Sequence, residues 1–298
     1  MDTALFHEPR RRMIPLPDGE MAALDFGDAG RPVDVVFVHA NGFNAMTYRA
    51  MLGPLSLSLR ILAVDLRGHG ASRLPAEPRG RRSWADFRDD LIALLDGLGG
   101  PAVVMAGHSM GATSALLAAA ERPHRVRRLA LFEPVIFPRL RTLYAQGPWT
   151  SGALWRRMPI ARAAARRRSV FDSPRAAFDA YRGRGAFKTW PEIMLADYVS
   201  AGFRPRSDGC VELACAPAWE AANFAAQGHD PWRALRCVNR PVAIFRGERG
   251  STCGVGSGRG LVRRNREAAL FTVAGASHFL PMERPDVVRD ALLDATDT

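Results

Sequence analysis

The stretch Val103-Val104-Met105-Ala106-Gly107-His108-Ser109-Met110-Gly111 constrains this chain more than any other. An apolar run ends in Gly-x-Ser-x-Gly, and an Ala/Leu-rich helical segment, Thr113 to Ala120, follows. That order is strand, tight turn, helix, with a serine at the apex. In so tight a turn a side chain at position 107 or 111 would strike the neighbouring backbone, which explains the two glycines. The serine is held in a strained conformation with its Oγ directed out of the fold. The first helical N–H groups, beginning with that of Met110, lack an intrahelical acceptor and are free to hold a negative oxygen. As a bare pattern Gly-x-Ser-x-Gly turns up by chance in roughly one chain in ten of this length. The weight therefore rests on the strand before it and the helix after it; the alternative is a plain strand-to-helix turn.

Upstream, Met21 to Phe26 alternates and ends in turn chemistry at Gly27 to Pro32, as the arm of an antiparallel edge hairpin would. Asp34 to His39 is an almost unbroken apolar run, which suits a parallel strand buried on both faces. It opens into His39-Ala40-Asn41-Gly42-Phe43-Asn44. Such a loop at the carboxyl end of a central strand is where an α/β sheet places ligands. The backbone N–H and side-chain amide of Asn41 can supply a second donor to a negative oxygen; otherwise the loop is an ordinary Asn-Gly turn. Ile61 to Val64 leads into Asp65-Leu66-Arg67-Gly68-His69-Gly70, read as a structural loop whose polar side chains satisfy local backbone groups. Ser83 opens a helix over Trp84 to Leu98. After the serine helix comes a strand, Val126 to Phe132, followed at once by Glu133-Pro134. This alternation indicates a doubly wound, mostly parallel α/β sheet.

From about Val135 to Leu235 the rhythm turns helical, with candidates at Ala161–Val170, Ser173–Tyr181, Pro191–Ala201 and Ala218–Ala226. The segment holds Trp149, Trp155, Trp190, Trp219 and Trp232 and shows no strong strand pattern. Residues 1–134 and 236–298 thus read as a core, and 135–235 as an inserted helical lid. Its tryptophans, with Phe187, Ile193, Met194 and Leu195, either line an apolar pocket for an acyl or aromatic group or form the insert's own core. Strands resume at Pro241–Arg246 and Ala268–Val273, and a last helix runs from Asp286 to about Ala295. The glycine-rich loop between those strands lacks the Lys-Ser/Thr ending of a phosphate loop.

Bulk properties narrow the classes. The 298 residues, 47% hydrophobic, allow one large core or a core plus an insert. No apolar run of 18 residues exists to span a membrane, and Met1 to His7 lacks the basic start and apolar stretch of a secretory signal, so a cytoplasmic location is expected. Cys210, Cys215, Cys237 and Cys253 show neither zinc nor disulfide spacing. The formal charge is +11, and Lys188 is the single lysine among 41 basic residues. The arginines are dispersed, apart from the run Arg166-Arg167-Arg168, and lack the aromatic interleaving of a nucleic-acid stripe. They read as solvated surface, the alternative being a field that attracts anionic substrates or surfaces. No nucleic acid, metal or organic cofactor is expected.

A serine hydroxyl is a poor nucleophile at neutral pH and needs a base. His278, in a loop just after the last strand, can lie beside the serine turn at the same sheet edge. With these residues in view the chain resembles the α/β-hydrolase superfamily, in its capped esterase- and dehalogenase-like branch. The resemblance rests on His39-Ala40-Asn41-Gly42-Phe43, Asp65-Leu66-Arg67-Gly68-His69-Gly70, Gly107-His108-Ser109-Met110-Gly111 and Gly275-Ala276-Ser277-His278-Phe279-Leu280-Pro281, in the family's order. It implies the α/β-hydrolase fold with a helical lid after the sixth strand. It also implies Ser109 as nucleophile, His278 as base, and Asn41 and Met110 as oxyanion donors. Dehalogenases and epoxide hydrolases carry aspartate at the nucleophile position, so Ser109 implies acyl chemistry on a small-molecule substrate, expected to be apolar. Hydrolysis of an ester or related acyl bond is the first reading; acyl transfer, C–C bond hydrolysis or ligand binding without catalysis are the alternatives.

One departure matters. Most members carry the triad acid in a Gly-x-x-Asp pattern after the seventh strand, and here that reads Gly247-Glu248-Arg249-Gly250. Some relatives take the acid from the end of the preceding strand, where this chain has Glu133. Glu133, Glu248 and a two-residue Ser/His site remain the alternatives.

Overall fold

The computed structural model describes residues 8–147, 158–254 and 265–297. The expected hairpin is formed by β1 (Arg10–Leu16) and β2 (Gly19–Phe26). β3 (Val35–Val38) and β4 (Ile61–Val64) follow, then α1 (Ala85–Gly97), β5 (Val103–His108), α2 (Met110–Glu121) and β6 (Val126–Phe132). Next come α3 (Arg139–Gln146), α4 (Pro159–Ala165), β7 (Val170–Phe171), α5 (Pro174–Tyr181), α6 (Glu192–Ala201), β8 (Phe203–Pro205), β9 (Val211–Leu213), α7 (Pro217–Ala225) and α8 (Pro231–Cys237). The chain closes with β10 (Val242–Gly247), β11 (Ala268–Val273) and α9 (Pro285–Thr296).

The main sheet has eight strands in the order β1-β2-β4-β3-β5-β6-β10-β11. β1, β2 and β4 pair antiparallel, and every pairing from β4 to β11 is parallel. Both faces are covered, which explains the unbroken apolar runs of the central strands. Val36, Val38, Leu62 and Met105 pack with Phe87, Leu91 and Leu116 on one side. Val35, Phe37, Ile61 and Val104 pack with Tyr48, Val288 and Leu292 on the other. Each such fully buried side chain contributes about 1.5–3 kcal/mol relative to leaving it exposed.

The segment between β6 and β10, expected to be mostly helical, also holds short strands. β7, β9 and β8 form a small antiparallel sheet. The helix expected over Ala161–Val170 ends at Ala165, and Val170 belongs to β7. Two- and three-residue strands are too short to show a period of two, so their pairing is decided by contacts far along the chain. Phe187, Trp190, Met194 and Leu195 are buried and pack on the core, whereas Ile193 is exposed. Trp149 and Trp155, and residues 255–264 of the glycine-rich loop, lie outside the described residues. Among the described residues no helix is long and apolar enough to cross a membrane.

Candidate active site

The serine turn is as tight as its glycines require. A Cβ on Gly111 would lie 2.3 Å from the Val38 carbonyl oxygen and 2.4 Å from that of His39. Ser109 itself has φ 55° and ψ −119°, a strained conformation for a residue with a side chain, and donates its N–H to the Phe132 carbonyl at 2.9 Å. Glu133, at the end of β6, also has a positive φ of 52° and is locked by its N–H to the Phe245 carbonyl on β10 at 2.7 Å. Parallel pairing of β5, β6 and β10 therefore brings Ser109 and Glu133 to the same sheet edge.

The loop after β11 completes the cluster. His278 Nε2 lies 3.0 Å from Ser109 Oγ, and His278 Nδ1 lies 3.1 Å from Glu133 Oε2. With Nδ1–H donating to the carboxylate, Nε2 is left to accept the hydroxyl proton. Glu133 is fully buried. Burial pushes its pKa up, but His278, the Gly247 N–H and the Ser251 hydroxyl outweigh this and hold it below the ordinary carboxylate value. Glu248, the alternative acid, accepts instead from the Gly275 N–H at 2.9 Å at the surface.

Asn41 and Met110 line the other side. The Asn41 amide is committed elsewhere: Nδ2 donates to the Glu220 carbonyl at 3.0 Å, and Oδ1 accepts from Asn223 Nδ2 at 3.0 Å. Both partners are on α7, so the expected side-chain donor is tied to the β6–β10 segment and the backbone N–H is what Asn41 has to offer. Met110 opens α2, where its N–H is one of the groups that a helix leaves unsatisfied. Asp65 and His69 have the structural roles expected of them. Asp65 accepts from the Ala45 and Ala71 N–H groups, while His69 donates Nδ1–H to the Arg67 carbonyl and accepts from the Gly42 N–H through Nε2 at 3.1 Å.

Two contributors escaped the sequence reading. Thr252 donates its N–H to Glu133 Oε2 at 3.0 Å, and its Oγ1 lies 3.2 Å from both the Glu133 carbonyl and His278 Nδ1. The loop that lacks the usual aspartate thus holds the carboxylate and the imidazole together. His108 donates Nε2–H to the His278 carbonyl and accepts the Tyr48 hydroxyl at Nδ1, each at 2.8 Å. Burial, with His278 nearby, keeps His108 well below the ordinary histidine value and hence neutral. Its position inside Gly-x-Ser-x-Gly was a signal; Thr252 carried none beyond its place in the loop. Among the described residues no three His, Cys, Asp or Glu side chains gather to hold a metal ion.

Over Ser109 lies a cavity of about 450 Å³, lined by Phe43, Phe187, Phe224 and Phe279 together with Arg167, Arg184 and Glu220. Known proteins resemble this chain over most of its length. Over 264 residues, 88% of this chain and 87% of the relative, it is 24% identical to 2-(acetamidomethylene)succinate hydrolase of Mesorhizobium japonicum. The crystal structure of E-2-(acetamidomethylene)succinate hydrolase superposes with a TM-score of 0.77 at 23% identity, covering 97% of this chain and 100% of that one. The enol-lactonase of Burkholderia xenovorans gives a TM-score of 0.67 at 18% identity, with 96% and 100% covered. The family model described as the alpha/beta hydrolase family matches residues 35–291, and with the fold and the sheet-edge cluster this places the chain in that family.

Proposed function

We propose that this protein is a serine hydrolase that cleaves a carboxylic ester or related acyl bond through an acyl-enzyme on Ser109. The observation that carries the reading is the unbroken line from Ser109 Oγ through His278 to Glu133, with contacts of 3.0 and 3.1 Å. His278 Nε2 takes the hydroxyl proton as Ser109 Oγ attacks the carbonyl carbon. The oxyanion that forms is held by the backbone N–H groups of Asn41 and Met110. His278 then returns the proton to the leaving group, and a water activated by the same nitrogen hydrolyses the acyl-enzyme. Glu133 stays ionised, keeps the imidazole in the Nδ1–H tautomer and stabilises the imidazolium; Glu248 takes no part. The segment between β6 and β10 acts as a cap that bounds the cavity. The names of the relatives, a 2-(acetamidomethylene)succinate hydrolase and an enol-lactonase, support a hydrolase reading.

Turnover of p-nitrophenyl butyrate by wild type and Ser109→Ala tests the reading, with fluorophosphonate labelling of the folded protein beside it. The expected outcome is labelling at residue 109 and a loss of about a thousandfold or more in the alanine variant. Equal rates, or no labelling of folded wild type, would sink the proposal.

A further inference from the structure

The cavity over Ser109 is not the neutral apolar pocket that its aromatic lining suggests. Arg167, in the middle of the run Arg166-Arg167-Arg168, turns away from solvent into the cavity wall, with its side chain 18% exposed. Its Nη1 donates to Glu220 Oε2 at 3.0 Å, its Nη2 donates to the Tyr198 hydroxyl, and its guanidinium lies over the Tyr181 ring at 5.2 Å. Glu220 is itself 10% exposed, so the pair neutralises itself inside the wall. Arg184 stands differently. The backbone around it is secured, its N–H donating to the Tyr181 carbonyl at 3.0 Å and its carbonyl accepting from the Phe187 N–H at 2.9 Å. Among the described residues its side chain has no hydrogen-bond or ion-pair partner. Among the described residues the cavity lining thus carries two guanidinium groups against one carboxylate, and the second of them, that of Arg184, is exposed to solvent.

We infer that the cavity selects an acyl substrate with an apolar body and one carboxylate, which pairs with Arg184 and borrows the unused N–H donors of Arg167. This deepens, and rests on, the hydrolase reading. A guanidinium presents a rigid planar fork that matches a carboxylate in two parallel hydrogen bonds, which gives orientation as well as attraction. Arg184 is exposed, so its attraction for the carboxylate is partly screened, and orientation comes from the fork geometry. Glu220, already bonded to Arg167, disfavours a second negative charge on its own side, so a single carboxylate is the better fit than two. A cationic substrate meets the opposite arrangement and is rejected.

Three p-nitrophenyl esters matched in length test this: the glutarate monoester, which carries a free carboxylate, the neutral valerate, and the 5-aminovalerate. The expected result is a kcat/KM for the glutarate ester about tenfold or more above that for valerate, with the aminovalerate below both. Arg184→Gln should reduce the glutarate-to-valerate ratio about fivefold or more, and added salt should compress it, since part of the attraction is screened. Protection of Ser109 from fluorophosphonate by glutaramic acid, compared with valeramide, reads the same preference without turnover. A ratio at or below one, or a preference that Arg184→Gln leaves intact, overturns the carboxylate inference while Ser109-dependent hydrolysis of valerate leaves the hydrolase reading standing. Absence of both hydrolysis and labelling overturns the two together.

Discussion

Replacing Glu133 by glutamine tests the part of the site on which the sequence was least decisive. The side chains match in size, but one carboxylate oxygen becomes an NH₂ group. Three N–H donors converge on the native carboxylate: His278 Nδ1–H and the Thr252 N–H on Oε2, and the Gly247 N–H on Oε1. An amide nitrogen at the Oε2 position opposes His278 and forces the proton onto Nε2, where the imidazole can no longer accept from Ser109. At the Oε1 position it opposes Gly247, and the imidazolium formed during attack still loses its counter-charge. A buried hydrogen bond to a charged group is worth about 1.5–3 kcal/mol. Adding the loss of the charge and of the productive tautomer gives about 4 kcal/mol, or ~10³-fold in kcat. The assay is kcat on p-nitrophenyl butyrate at pH 8, normalised to folded protein by circular dichroism, with Glu248→Gln beside it. Among the described residues the Glu248 carboxylate accepts only from the Gly275 N–H, and it sits at the surface, so its variant should stay within about twofold of wild type. If Glu133→Gln keeps more than about a tenth of the rate, or Glu248→Gln loses as much as Glu133→Gln, the assignment of the acid is wrong.

Two further outcomes follow from named contacts. Thr252→Val keeps the shape but removes an oxygen 3.2 Å from His278 Nδ1, so kcat should fall about three- to tenfold, as expected for one hydrogen bond, while Thr252→Ser restores it; a valine variant with wild-type kcat refutes the positioning role. His229 is stacked on Trp84 at 4.2 Å, and burial pushes its pKa down to about 3. Between that value and an unfolded pKa of about 6.5, the unfolded chain binds a proton that the fold refuses, so this stability is complete above pH ~6.5 and lost as pH falls. From pH 7.5 to 5.5 His229 alone should cost about 1.4 kcal/mol, read by urea unfolding at the two pH values. His229→Phe should shrink the difference between them by about that amount, and an unchanged difference refutes the account.

Much of the core was legible because its signals are local. Gly107 and Gly111 declare the turn through steric exclusion, the apolar runs at Val35–Val38 and Val103–His108 declare strands buried on both faces, and His278 follows the last strand by five residues. Where the signal is not local, the reading stopped short. The strands β7 to β9 are too brief to show a period, and the Asn41 amide is taken by two groups on α7 that lie about 180 positions away.

The amino-acid order by itself determined the serine turn, the parallel sheet and the presence of a histidine at its rim, since backbone sterics and burial on two faces act within a few residues. Tertiary structure alone decided which carboxylate meets that histidine, that Thr252 joins them, and that Arg167 turns inward to pair with Glu220. Those outcomes depend on strand register and on charges brought together from distant segments, and no short window of sequence contains both partners.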